Sequence, residues 1–419
     1  MVYLLFLFYL VIFCWLISRI NFFKEPGLDK RILISLFLAR VIAGLVNGYL
    51  NMNYFKGTDT AFFQQEGIAE YHLLFNNTSE YFTNIFHSNH NNSYSGFLES
   101  SDSYWNDTRS NLIVKMLSVF NIFSGRNFYI NTLFYNFLIF FGAVGLYKVF
   151  IKIFPLYPFI LIACIFLLPS VIYFTSGIHR DGLIFLSLSM LMYHLFFLLR
   201  NKGFSWTRIL IALFFLSLIL LVRNFVFITL VPALIAWIVA EQKPKYALAI
   251  FSGVYFFIAI LFFCSGFLAP KFDLPGHVSS RQLAFIEIAK NGASAININP
   301  LYPNFRSFLN NTPQALNHSL MRPYLTEHVN FLYVVAGCEV LLYEILFLFL
   351  IFFRKKNIAI SPVIYFSCFF SISMFLVIGY TIPIIGAIVR YRSIYFSLIL
   401  IPVVCYTDWN KLKRNIHIT

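Results

Sequence analysis

PLYPFILIACIFLLPSVIYFTSGIHRDGLIFLSLSMLMYHLFFLL, residues Pro155–Leu199, is the stretch that decides the fold. Two apolar runs flank one short polar turn. A bilayer-crossing helix needs about 20 mostly apolar residues, and each flank approaches that length. The first run passes through Pro169 and Ser170 and turns at Ser176-Gly177. The chain then re-enters an apolar phase after His179, Arg180 and Asp181. This reads as a membrane hairpin with three ionisable residues at its tip.

The same pattern extends in both directions. Apolar runs cover Val2–Ser18, Ile32–Leu50, Phe128–Tyr147, Pro155–Phe174, Leu183–Leu199 and Ile209–Val222. Phe225–Ala240, Tyr246–Phe267, Asn330–Phe353, Pro362–Tyr380 and Ser393–Tyr406 follow. The expectation is an all-α, polytopic transmembrane helical bundle of about eleven spans, forming one integral membrane domain over residues 1–419. Ile209–Val222 and Phe225–Ala240 are short, and read either as two half-length helices or as one kinked element. Hydrophobic residues make up 59% of the chain and charged ones 11%, against about 25% charged in an ordinary soluble domain. The run Val2–Ile17 has no basic region before it and no small-residue cleavage site, so it is expected to be a membrane helix rather than a signal peptide.

The net charge of +14 does not indicate a nucleic-acid partner, because the basic residues sit at the ends of apolar runs. Arg19, Lys24, Lys30 and Arg31 form one group; Lys148 with Lys152 and Arg200, Lys202 with Arg208 form two more. Lys243 with Lys245, Arg354 to Lys356, and Lys411, Lys413 and Arg414 complete the set. Short basic connections mark the cytoplasmic side. They place the C-terminus inside and the N-terminus outside, as expected for a bacterial inner-membrane protein. The six cysteines all fall within apolar runs and none forms a CxxC pair, so they read as small core residues.

The opposite face carries two long loops, residues 51–127 and 268–328, and the candidate chemistry gathers there. Both are expected to contain short amphipathic helices. The first opens with Gly57-Thr58-Asp59-Thr60 and continues AFFQQEGIAEYHLLF. Phe62, Ala69 and Leu73 fall at helical spacing, with Gln65, Glu66 and Glu70 turned elsewhere, as in a helix lying on a membrane surface. Asp59 precedes that helix, where it serves either as an N-cap or as a base. The second loop sets Arg281, Arg306 and Arg322 among Asn, Pro and aromatic residues; it reads either as an acceptor-binding lid or as a solvated cap.

Other polar groups lie in or near spans. In IPIIGAIVRYRSIYFSLILIPV, Arg390 and Arg392 precede the last span. Arginine is disfavoured on the outer side; the pair either snorkels or meets phosphate oxygens, which match its planar fork of donors. Arg40, Glu339 and Glu344 lie within spans, where charges usually face the bundle interior. A buried pairing of Arg40 with one of the glutamates is expected. His72, His87, His90 and His179 match no zinc spacing. A divalent cation, magnesium or manganese, bridging Asp59 and a lipid phosphate suits oxygen ligands. The sequons at Asn76, Asn77, Asn91, Asn106, Asn310 and Asn317 all fall in the outer loops.

Three features together resemble the GT-C type glycosyltransferases that use polyprenyl-phosphate sugars, in the manner of protein O-mannosyltransferases and aminoarabinose transferases. These are Asp59 near the start of an early outer loop, the Pro169–Asp181 hairpin, and Arg390-Tyr391-Arg392 before the last span. The chain departs from that pattern in an extra N-terminal span. It also lacks a second acid two positions on, where Ala61 stands. The resemblance implies a membrane glycosyltransferase with Asp59 as base. Arg390, Arg392 and Arg180 would hold the donor phosphate. Glu66, His179, Asp181, Arg281, Arg306 and Arg322 would lie toward a glycan, lipid or protein acceptor. Membrane lipid is the further expected partner. Two other readings remain: an O-antigen-type polysaccharide polymerase or ligase, resting on Arg281, Arg306 or Arg322, and a lipid-linked sugar flippase or transporter. The transporter reading asks for polar residues at the bilayer midplane on several helices, and only Arg40, Glu339 and Glu344 qualify.

Overall fold

The structure, a computed structural model, describes residues 2–25, 27–55, 59–84, 104–201, 203, 205–290, 294–327, 330–356 and 358–416, with backbone alone at 104–109, 271 and 413–416. Among these, helices supply the architecture and the only β-structure is three isolated bridges. Gly57, Thr58, His87, His90 and Asn91 lie outside the described residues.

Contacts gather into two compact units, residues 1–227 and 228–419. The first holds α1 (Val2–Arg19), α2 (Lys30–Asn53), α3 (Asp59–Asn76), α4 (Thr78–Thr83) and α5 (Tyr104–Ser124). It continues with α6 (Phe128–Ile153), α7 (Pro158–Ile162), α8 (Pro169–Ser176), α9 (Arg180–Arg200) and α10 (Trp206–Val222). The unit boundary falls near the start of α11 (Asn224–Gln242). The second unit then runs through α12 (Ala247–Leu268), α13 (Leu274–Ala289), α14 (Phe305–Leu320) and α15 (Phe331–Phe352). It ends with α16 (Pro362–Thr381), α17 (Ile385–Tyr406) and α18 (Trp409–Ile416).

Nine described helices are long and apolar enough to cross a membrane: α1, α2, α6, α9, α11, α12 and α15 to α17. The chain is built as a helical integral membrane protein. The run Pro155–Phe174 is broken, its pieces Pro158–Leu167 and Pro169–Ser176 meeting at 48°. Pro169 explains the bend, because proline has no N–H to continue the ladder and tolerates only the first helical turn. Two separate helices, α10 and α11, replace the ambiguous pair of short runs, and the chain breaks at Arg223.

Two expectations need correction. The last helix begins at Ile385 rather than Ser393, so Arg390 and Arg392 lie inside α17 instead of before it. The first long loop is also more helical than expected, since α5 alone spans 21 residues.

In the first unit α6 is the buried centre and α1 is largely exposed. Aromatic rings knit it together: Phe13 stacks on Phe137 at 4.5 Å between centroids, and Phe23 meets Phe141 at 4.6 Å. In the second unit α17 is the most buried helix. Tyr343 contacts Phe396 at 4.6 Å, and Trp237 contacts Phe366 at 4.9 Å. Helix starts follow the sequence closely. Asn127 caps α6, Asp273 caps α13, Asn304 caps α14 and Asn330 caps α15, each accepting from a backbone N–H of the first turn.

Candidate functional site

The hairpin turn between α8 and α9 is recessed within the first unit. Residues Thr175 to His179 and Asp181 are all buried. A side chain at Gly44 of α2 would strike the Ser176 carbonyl and Asn136 Nδ2, and one at Gly177 would strike Asn47. The turn is therefore level with Gly44–Asn47. α2 continues six residues past Asn47, about 9 Å at 1.5 Å per residue.

Buried polar groups are generally satisfied, and the carbonyls of Thr175, Ser176 and His179 each have a donor, while Ser176 Oγ has no hydrogen-bond partner among the described residues. Arg40 Nη2 donates to Thr175 O at 2.5 Å and to Thr175 Oγ1 at 2.8 Å. Asn136 Nδ2 donates to Ser176 O at 2.8 Å, and the Tyr135 hydroxyl donates to His179 O. A cation at a helix C-terminus also complements the dipole, which suits Arg40 at the end of α8. Within its own unit Arg40 is held by a carbonyl and a hydroxyl. In the second unit Glu339 accepts from the Tyr343 hydroxyl one turn along α15.

The side chains of the turn reach outward. His179 Nε2 lies 3.1 Å from Asn47 Oδ1, and His179 Nδ1 lies 3.3 Å from Thr60 Oγ1. An amide oxygen only accepts, so Nε2 carries a proton toward Asn47, and Nδ1 shares a hydrogen bond with the Thr60 hydroxyl. Asp181, fully buried, forms a 2.6 Å ion pair with Arg223 Nη2, itself 7% exposed. Asp181 stands in the first turn of α9 and Arg223 closes α10, so each charge also complements its own helix dipole. Arg180 is half-buried, donates to Ser110 Oγ at 2.7 Å, and lies over the Phe63 ring at 5.4 Å.

α3 and α5 therefore dock on the turn through Thr60, Phe63 and Ser110. They approach closely because Gly67 of α3 leaves room for Leu117, whose Cβ would be 2.8 Å from a Cβ at that position. Asn121 donates to Gly67 O at 2.9 Å, and Asn131 bridges Asn121 and Gln64. Lys115 pairs with Glu70 across the two helices. Asp59 is the first described residue of α3 and is exposed, immediately before the buried Thr60. Glu66 is exposed on the same helix. The face of α3 that packs on protein is Thr60, Phe63, Gln64 and Gly67; Phe62 and Ala69 are exposed.

The remaining candidate arginines belong to the second unit. Arg392 is buried and donates to Ser319 O, at the end of α14, at 2.8 Å. Arg390 is half-buried, with its guanidinium 5.9 Å from the Tyr391 ring centroid. Arg281 of α13 is half-buried over Phe285; burial pulls its guanidinium below the usual value and Tyr391 works the other way. Arg322 pairs with Glu327 at 2.9 Å, and Arg306 is exposed.

Of the residues picked from sequence, His179, Arg180 and Asp181 share one recess with the start of α3. Asn47, Thr60, Ser110, Tyr135 and Arg223 belong to the same recess and were not anticipated. Arg223 carried the signal used for Arg390, an arginine in a connection away from the short basic loops. The other four are neutral residues with no sequence signature. Among the described residues, no three His, Cys, Asp or Glu side chains are grouped so as to hold a metal ion. Compared with known protein families, curated proteins and solved structures, the chain matches none.

Proposed function

We propose that this chain is a membrane glycosyltransferase. It transfers a sugar from a polyprenyl-phosphate donor to a glycan, lipid or protein acceptor on the outer face of a bacterial inner membrane. The observation that supports the reading is the docking of α3: Thr60 meets His179, and the preceding residue, Asp59, is an exposed acid at the rim of a buried polar recess. Asp59 takes the proton of the acceptor hydroxyl. The acceptor oxygen bonds to the anomeric carbon while the carbon–phosphate-oxygen bond breaks, with inversion. The leaving polyprenyl phosphate is an anion, stabilised by arginine. Arg180 is the half-buried guanidinium on the same turn as His179.

The reading is tested with the purified chain in lipid nanodiscs and a panel of polyprenyl-phosphate sugars, by release of polyprenyl phosphate on adding acceptor glycans. No release with any donor rejects it. The polymerase or ligase reading would then take over if Arg281→Gln or Arg306→Gln abolished polysaccharide extension in cells.

A further inference from the structure

We propose that one face of the second unit, built where the α15–α16 and α17–α18 connections meet, binds the headgroups of anionic phospholipids. The two connections are joined through their backbones. Arg354 and Thr407 form an antiparallel bridge, Lys355 N donates to Tyr406 O at 3.0 Å, and Asp408 N donates to Phe353 O at 2.7 Å. Lys355 Nζ donates to Cys405 O at 2.8 Å. The bridge brings the basic run Arg354-Lys355-Lys356 beside the start of α18, whose sequence WNKLKRNI adds Lys411, Lys413 and Arg414. Across Phe353–Lys356 and Tyr406–Ile416 the one acid is Asp408. Asp408 Oδ1 accepts from Lys411 N at 3.1 Å, so it caps α18.

The geometry suits a bilayer surface rather than a soluble anion. Trp409 is fixed at the membrane end of α17, donating through Nε1 to Val404 O at 2.9 Å and meeting Phe349 edge-on at 6.1 Å. The chain turns at the extended Thr407, so α18 leaves the axis of α17. Trp409 stands in the first turn of α18, and an indole suits the boundary between headgroups and acyl chains. Arg354, Lys356 and Lys411 are exposed. Clustered lysine and arginine beside a membrane span attract anionic lipid, each charge strengthening binding by about fivefold. The proposal does not depend on the enzymatic reading.

The test is native mass spectrometry of the full chain in neutral detergent, titrated with cardiolipin or with phosphatidylcholine. The wild type should bind cardiolipin well ahead of phosphatidylcholine. The triple variant Arg354→Gln, Lys356→Gln, Lys411→Gln should bind cardiolipin on the order of 100-fold more weakly. Arg354→Lys with Lys411→Arg should retain the affinity, which separates lost charge from misfolding. Arg19→Gln, Lys30→Gln, Arg31→Gln removes as much charge from the first unit and should weaken binding far less, because Glu25 and Asp29 lie among those charges. Equal loss in both triple variants would overturn the proposal. So would equal affinity for the two lipids, or displacement of cardiolipin by inorganic phosphate.

Discussion

Thr60 and His179, 119 residues apart in the chain, meet through Oγ1 and Nδ1 at 3.3 Å. The contact ties the first turn of α3 to the α8–α9 turn. Thr60→Val removes the hydroxyl that meets His179 Nδ1, and losing one hydrogen bond costs about 0.5–1.5 kcal/mol. Thr60→Ser should restore most of the loss in thermal unfolding in detergent. In a His179→Phe background Thr60→Val should cost much less, because residues in direct contact are coupled. Additive losses would show that the two do not interact.

The ion pair between Asp181 and Arg223 gives a larger effect. Removing one member of a buried pair strands the other charge, at about 3–5 kcal/mol. Asp181→Asn and Arg223→Met should each lower the melting temperature sharply. Asp181→Leu combined with Arg223→Met should recover much of that loss, since an apolar replacement of both charges avoids desolvation. A silent single variant would mean that the charges are solvated and apart.

The hairpin tip was legible in the sequence because its polar residues are concentrated in a tight turn between apolar runs. Its surroundings were not. Arg40 is held by the Thr175 carbonyl and hydroxyl, and a carbonyl acceptor leaves no trace in residue type. The protein-facing side of α3 was also hidden. Its buried residues include Thr60, Gln64 and Gly67, while Phe62 is exposed. In a membrane protein lipid can take the apolar face and protein the polar one, so periodicity alone does not say which face packs on protein. The true start of α17 is masked in the sequence, because two arginines two positions apart normally lie outside a span. Arg392 stays inside the helix because the Ser319 carbonyl accepts a hydrogen bond from its Nη1.

His318 makes the second unit sensitive to acid. Burial, reinforced by Arg322 and opposed by Glu327, holds its imidazole down at about 4. Its Nδ1 has no hydrogen-bond partner among the described residues. An unfolded histidine takes up a proton near pH 6.5, whereas the folded one resists until about pH 4. Between those values the unfolded state binds more protons, so stability should fall as pH drops from 6.5 toward 4. Above pH 6.5 this residue contributes no slope. Melting temperatures of wild type and His318→Gln across pH 7.5 to 4.5 would check this. The variant should show the shallower decline, and parallel curves would exclude His318 as a source.

Asp59→Asn is the most direct measurement of the proposed chemistry. Asparagine keeps the size of aspartate and its suitability at a helix start, and it removes the basicity. In nanodiscs supplied with a polyprenyl-phosphate sugar that the wild type turns over, the variant should melt at the wild-type temperature. Its transfer rate should fall by roughly 100- to 10,000-fold, the usual contribution of a general base. Full activity in a normally folded Asp59→Asn protein would contradict the assignment of Asp59 as the base, and with it the reading of the α3 rim as the active site.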